Sequence, residues 1–213
     1  TIDIVKKDLL KWLEWIEDSN LFMWRISEFF IHIYLKYYWF EPQFIFTNLE
    51  ENTSIKKWFD GYYCMWNEEW IMESKSGNLK WNSHEKKIKK AYNWLSDMFS
   101  GLSKDKKGNP INPWQNAYHH ASIVSSEETL LSKINRLSIK FKLDNFTDIK
   151  EYNVIPSSTI FLDDEQCYDE SIIDNTYIKD KVNTWLSDKS YNKIIILCIT
   201  HKTKKVFLEY LNS

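Results

Sequence analysis

The segment from Phe59 to Gly77 constrains the fold most, because two apolar runs flank a short polar stretch, which is the pattern of a β-hairpin. Side chains alternate between the two faces of a strand, so Glu73 and Lys75 share one face. Asp60 joins that face if the loop, near Asn67-Glu68, contains an even number of residues. A two-residue loop places Asp60 opposite Glu73, and a four-residue loop places it opposite Lys75.

The polar groups of this hairpin suggest chemistry. Either register brings Asp60, Glu73 and Lys75 within roughly 5 to 8 Å of one another, as direct or diagonal cross-strand neighbours. Two carboxylates and an amine on one face can hold a divalent metal and activate water. The apolar run just before Glu73 predicts a strand that enters a core, so polar groups at its end indicate a function.

Composition predicts one folded domain. The 213 residues are 43% hydrophobic, with only four glycines and four prolines, which is typical of a compact globular protein. We expect a single domain over 1–213, divided into an N-terminal helix (1–20), a core (21–165) and a C-terminal strand and helices (166–213). Thr1 is not a methionine, so a partner domain outside this sequence, or a homodimer, is also considered.

The predicted elements alternate between helices and strands, which indicates an α/β fold with a central mixed sheet flanked by helices. Apolar periodicity and breaking residues predict helices over 4–17, 21–38, 84–99, 113–136, 170–187 and 201–211, and strands over 44–47, 137–143, 153–162 and 193–200, besides the hairpin. Leu137, Ile139, Phe141 and Leu143 alternate with polar residues, which is why 137–143 is predicted as a strand.

The chain shows no signal-peptide pattern and no run of about 18 uncharged apolar residues, so we expect a cytoplasmic protein that does not enter membranes. A net charge of −2 does not by itself predict binding to nucleic acid. Downstream of the hairpin, however, lysines concentrate positive charge: Lys86, Lys87, Lys89, Lys90, Lys104, Lys106 and Lys107. These lysines form either an ordinary solvated surface or a surface that binds the phosphates of a nucleic-acid backbone.

A helix with Glu28, a strand, Asp60 and then Glu73-Ser74-Lys75 at a strand end resemble the core of the PD-(D/E)xK nucleases. The order is most similar to the nuclease-related domain (NERD) and the restriction-endonuclease-like toxins. Asn112-Pro113-Trp114-Gln115 is similar to an Asn-Pro and Gln motif of the same group, and the resemblance covers about residues 25–165. It implies a restriction-endonuclease-like core.

The resemblance implies a metal-dependent endonuclease that hydrolyses phosphodiester bonds, with DNA as the expected nucleic-acid partner. Asp60, Glu73 and the carbonyl of Ser74 would bind Mg²⁺ or Mn²⁺, which prefer oxygen ligands. Lys75 would orient or deprotonate the attacking water, or stabilise charge on the phosphate. In the same group, Glu28 would reach a metal-bound water and Gln115 would position the substrate.

Two other readings remain open. Arg25 and His32 lie on one helix face and resemble the motif of HEPN ribonucleases, which act on RNA without metal. A non-catalytic interaction protein of the immunity or anti-defence type would instead bind a partner through aromatic residues. Among the 11 tryptophans, Trp66, Trp81 and Trp114 are the candidates for contact with a substrate.

Overall fold

A computed structural model describes residues 2–13, 19–45, 59–124, 127–162 and 174–212. Within these ranges six strands form one mixed sheet with helices on both faces, which confirms the predicted α/β layering. In chain order the elements are α1 (Ile2–Leu13), α2 (Ser19–Tyr37), β1 (Glu41–Ile45), β2 (Gly61–Met65), β3 (Glu68–Asn78), α3 (His84–Phe99), α4 (Pro113–Val124), α5 (Glu128–Lys142), a short 3₁₀ helix (Ile149–Glu151), β4 (Asn153–Phe161), α6 (Asn175–Leu186), β5 (Lys193–Ile194), β6 (Leu197–His201) and α7 (Lys204–Asn212).

The sheet combines an antiparallel and a parallel half. β1, β2 and β3 form an antiparallel meander, and β3 then pairs in parallel with β4. β5 and β6 follow one another along the far side of β4, both parallel to it. Because a parallel pair needs a crossover, the chain between β3 and β4 passes through α3, α4 and α5.

Alternation along β2 and β3 separates two hydrophobic clusters. Tyr62 and Ile71 belong to the cluster that contains α3, α4 and α5 residues. Tyr63 and Met72 belong to the cluster on the opposite face, under α2. Since both faces of β3 are covered, polar side chains on this strand need partners or a function.

One face of α2 is buried against the sheet. Ile26, Ile31 and Leu35 are buried, whereas Lys36 is exposed. None of the helices in the described ranges combines the length and the hydropathy needed to cross a membrane.

The predicted strand over 137–143 is wrong, because these residues lie on α5 and just after it. Leu130, Ile134 and Phe141 are buried at helical spacing, whereas Ile139 is 51% exposed and Leu143 is 75% exposed. The alternation of apolar residues was incidental to an amphipathic helix.

Other element boundaries differ less. The predicted strand 193–200 divides into β5 and β6, and the last helix begins at Lys204 rather than at His201. Parts of four predicted elements lie outside the described residues: 14–17, 46–47, 125–126 and 170–173.

Candidate functional site

The hairpin between β2 and β3 has a two-residue turn, Trp66-Asn67. Both residues have positive φ angles, 49° and 65°, as a type I′ turn requires. The strands pair from Met65 with Glu68 to Gly61 with Met72. One further step along this register places Asp60 opposite Glu73, so the even loop on which the shared face depends is confirmed.

Asp60 forms the hydrogen bonds to β3 at the point where β2 begins. Its backbone N–H donates to the carbonyl of Met72 at 2.9 Å. Its Oδ2 accepts hydrogen bonds from the backbone N–H of Ser74 at 2.8 Å and from the Ser74 hydroxyl at 2.7 Å. The Ser74 amide lies beyond the last β2 pair, Gly61 with Met72, so the Asp60 carboxylate replaces a strand as its acceptor.

These bonds leave one carboxylate oxygen of Asp60 available. Among the described residues, none donates a hydrogen bond to Oδ1. The Ser74 carbonyl lies on the same edge as its N–H, because the N–H and C=O of one residue in a strand point to the same side. Two oxygen atoms, from Asp60 and Ser74, therefore border the edge of β3 beyond its last pair with β2.

Glu73 and Lys75 form an ion pair on the face that α3 covers. Glu73 is 3% exposed, and its Oε1 accepts a hydrogen bond from Lys75 Nζ. Lys75 Nζ also lies 5.3 Å from the centre of the Trp94 ring on α3. The lysine is thus held between a carboxylate and an aromatic surface.

The pKa values of Glu73 and Lys75 are shifted by burial and by the charges of nearby carboxylates. Burial raises the pKa of Glu73 well above its ordinary value; the negative charge of Asp60 raises it further, Lys75 opposes the shift, and Glu28 adds to it. Burial alone would lower the pKa of Lys75, but the carboxylates of Glu73, Asp60 and Glu28 outweigh it and raise the pKa. The negative charge of Asp60 beside the buried Glu73 is an environment that a cation stabilises.

Glu28 lies on α2, the helix that covers the other face of the sheet from Glu73 and Lys75. It is 8% exposed, on a helix that packs against β3. Burial, followed by the charges of Asp60 and Glu28, raises the pKa of Tyr63 on β2. The structure therefore brings Asp60, Glu73 and Lys75 together, and the charge of Glu28 acts on Glu73 and Lys75 from α2.

The donor set fits a hard cation. Asp60 Oδ1, Glu73 and the Ser74 carbonyl are oxygen donors, which Mg²⁺ and Mn²⁺ prefer. No three Asp, Glu, His or Cys side chains in the described ranges already surround a common metal position. Mg²⁺ needs no such cage, because it commonly takes one or two carboxylates and keeps several waters.

Gln115 lies apart from this cluster. Asn112 Oδ1 accepts hydrogen bonds from the backbone N–H groups of Trp114 and Gln115, each at 3.1 Å, so the Asn-Pro motif caps the start of α4. The exposed Gln115 side chain lines a cavity of about 480 Å³ together with Asp105, Pro110, Ile111, Asn112, Asn116, Phe141, Lys142 and Asp144. The structure does not bring Gln115 into contact with Asp60, Glu73 or Lys75.

His84 is a polar residue near the site that the sequence analysis missed. Its Nδ1 lies 2.9 Å from the Ser158 hydroxyl on β4, and its Nε2 lies 3.1 Å from the Thr200 hydroxyl on β6. Ser158 pairs with Lys75 across the sheet. Burial lowers the pKa of His84 to about 4, so the ring is neutral and links the strands. The signal was its place, four residues before Ile88, on the buried stripe of α3.

The remaining candidate residues from the sequence analysis, two tryptophans and a histidine, differ in their surroundings. Trp114 is 2% exposed, so direct contact with a substrate, which the sequence analysis considered, is wrong for this residue. Trp66 is 83% exposed, but it lies in the hairpin turn at the other end of β2 from Asp60. His32 Nδ1 forms a hydrogen bond with the Tyr63 hydroxyl.

Comparisons with known proteins give no relative. A scan against protein-family models found no match to this chain, and a search of curated proteins found none. The chemistry of the clustered side chains is therefore the basis for a function.

Proposed function

We propose that this protein is a metal-dependent nuclease that hydrolyses phosphodiester bonds, with DNA as the expected substrate. One observation carries the proposal: Asp60 lies opposite Glu73 where β2 begins, Glu73 pairs with Lys75, and the charge of Glu28 acts on both members of that pair. The buried carboxylates of Asp60 and Glu73 repel one another, and Lys75 is the amine that pairs with Glu73. A bound divalent cation would offset this repulsion.

The order of elements supports the same proposal. α2, the meander β1-β2-β3, the helix α3 and the parallel strand β4 follow one another as in a restriction-endonuclease-like core. In that resemblance the Asp follows the first strand of the meander and Glu-x-Lys ends the last. Here Asp60 comes just before β2, but Glu73-Ser74-Lys75 lie within β3, which continues to Asn78, so the expected strand end after Lys75 is wrong.

The chain's own residues would each take a definite part. Asp60 Oδ1, Glu73 and the Ser74 carbonyl would hold the metal, which supplies a Lewis acid that polarises the phosphate and its attacking water. Lys75 keeps its proton, because its pKa is raised by the carboxylates. It is therefore suited to donate hydrogen bonds to the phosphate and to stabilise developing negative charge, more than to act as the base.

The test is a cleavage assay with a matched control. Plasmid DNA, linear duplex, single-stranded DNA and RNA are incubated with the protein in Mg²⁺, Mn²⁺ or EDTA. We expect metal-dependent cleavage that Glu73→Gln and Lys75→Ala abolish. Glu69→Gln makes the same change on the same face of β3, where Glu69 pairs with Lys133, and should leave cleavage intact. Equal cleavage by the wild type, Glu73→Gln and Lys75→Ala would exclude the proposal.

A second candidate, a non-catalytic interaction protein, is favoured by an aromatic patch. Tyr37 and Trp39 are each 77% exposed at the end of α2, and Tyr34 and Tyr38 stack beside them with ring centres 4.7 Å apart. Exposed aromatic clusters are typical of protein-binding surfaces. A protein of this kind would show no metal-dependent change in melting temperature and no cleavage of any nucleic acid.

A further inference from the structure

Positive charge continues along β3 beyond the candidate site. Gly77 lies two residues after Lys75, on the same face of the strand and about 6.7 Å further along it. A Cβ atom at Gly77 would lie 2.7 Å from Cε of Lys87, because the Lys87 side chain from α3 rests on the bare backbone. Because residue 77 has no side chain, the Lys87 side chain can lie there, next to Lys75 along the strand.

Within the part of the chain that the structure describes, the charge of Lys87 is not neutralised by a carboxylate. Among the residues described, no carboxylate forms an ion pair with Lys87 or Lys90. Burial, followed by the nearby charges of Lys90 and Lys75, lowers the pKa of Lys87. Lys89 on the same helix differs, because it pairs with Glu85 at 2.6 Å. Lysines that repel one another are stabilised by an anion between them.

An exposed tryptophan follows at the end of this line. Trp81 lies three residues after β3 ends at Asn78 and is 73% exposed. Lys80 Nζ lies 5.3 Å from the centre of the Trp81 ring. An aromatic surface next to lysines is the combination that binds unpaired nucleotides, since bases stack on the ring and phosphates meet the amines.

We propose that Lys75, Lys87 and Trp81 form a track for a single strand of nucleic acid leading to the candidate site. This inference rests on the proposed nuclease function and specifies its substrate as unpaired DNA or RNA. The two lysines bind successive parts of the phosphate backbone, and a base stacks on Trp81. A paired base within a duplex cannot present its face to Trp81, so the track favours single strands over blunt duplex.

The test measures binding without metal, so that it does not depend on cleavage. Fluorescence anisotropy in EDTA compares single-stranded DNA, RNA of the same sequence and blunt duplex DNA. The variants are Lys87→Ala and Trp81→Ala. The controls are Lys86→Ala, which removes an exposed lysine from the same helix, and Trp66→Ala, which removes an exposed tryptophan at the opposite end of the hairpin.

We expect the wild type to bind a single strand more tightly than the duplex, and the DNA and RNA arms show which strand is preferred. Trp81→Ala should weaken single-strand binding about fivefold or more, from the free energy of stacking one base. Lys87→Ala should lower the slope of log affinity against log salt by about 0.7. Both controls should bind as the wild type does.

The outcomes separate this inference from the proposed function. If metal-dependent cleavage requires Glu73 but Lys87→Ala and Trp81→Ala bind like their controls, the track is wrong and the nuclease proposal stands. If the two variants lose binding while no condition yields cleavage, the track is right and the nuclease proposal is wrong. Equal or tighter binding of duplex by the wild type would also overturn the track.

Discussion

Replacing Asp60 separates its structural role from its proposed metal role. In the metal-free protein its Oδ2 accepts two buried hydrogen bonds from Ser74, at 2.8 and 2.7 Å. Asp60→Ala leaves the Ser74 amide and hydroxyl without an acceptor, and each unsatisfied buried donor costs about 1–3 kcal/mol. Because the change also removes repulsion between Asp60 and Glu73, we expect a loss of about 2–4 kcal/mol in the free energy of unfolding.

Asp60→Asn should behave differently. The amide oxygen can accept both bonds, so we expect a loss of about 1 kcal/mol or less. Urea unfolding in EDTA measures both variants, with an unchanged slope showing that the unfolding reaction is the same. Asp97→Ala, an exposed aspartate on α3, should stay within about 0.5 kcal/mol of the wild type.

The reasoning fails if Asp60→Ala is as stable as the wild type, or if Asp60→Asn is destabilised as much as Asp60→Ala. A further readout concerns the metal. Mn²⁺ should raise the melting temperature of the wild type, whereas Asp60→Asn should show a smaller rise or none, because an amide is a weaker ligand than a carboxylate.

Three other changes test the surrounding structure. The pKa of the His84 ring is about 4 in the folded protein and about 6.5 when unfolded, so the stability that the neutral ring contributes is full above pH 6.5 and is lost as the pH falls toward 4. In urea unfolding, His84→Gln should remove up to about 3 kcal/mol of this pH dependence. An unchanged pH dependence would contradict the burial of a neutral ring. Gly77→Ala should change stability by less than about 1 kcal/mol, because the flexible side chains of Lys87 and Asn82 can move, yet it should weaken single-strand binding, and unchanged binding would argue against the track. Trp114→Ala should cost about 3–5 kcal/mol by thermal or urea unfolding, since the ring is buried and stacks on Phe99, and a variant as stable as the wild type would contradict this packing.

The sequence predicted the hairpin geometry because strand alternation and loop parity are local rules. Once the two turn residues are Trp66-Asn67, Asp60 must lie opposite Glu73, and no distant contact can alter this without breaking the strands. The loop predicted from the sequence, near Asn67-Glu68, lies one residue later. Glu28 was placed less directly, since its approach depends on how α2 packs against β3. The resemblance, and not the spacing of the residues, singled it out.

The failures have physical causes too. Apolar residues at 137, 139, 141 and 143 satisfy a period of two, but the buried positions Leu130, Ile134 and Phe141 satisfy the period of a helix over a longer range. Asn112 was read as part of a functional motif, whereas its side chain caps α4. The contacts of His84 with β4 and β6 join residues far apart in the chain, so the sequence alone could not place them.

Calorimetric titration of Mn²⁺ into the metal-free protein tests the central claim most directly. The account predicts that the wild type and Glu69→Gln bind Mn²⁺ at the same site. Glu73→Gln should lose this binding, although it still unfolds at least as cooperatively as the wild type. No Mn²⁺ binding by the wild type, or equal binding by Glu73→Gln, would contradict a metal site at Asp60 and Glu73.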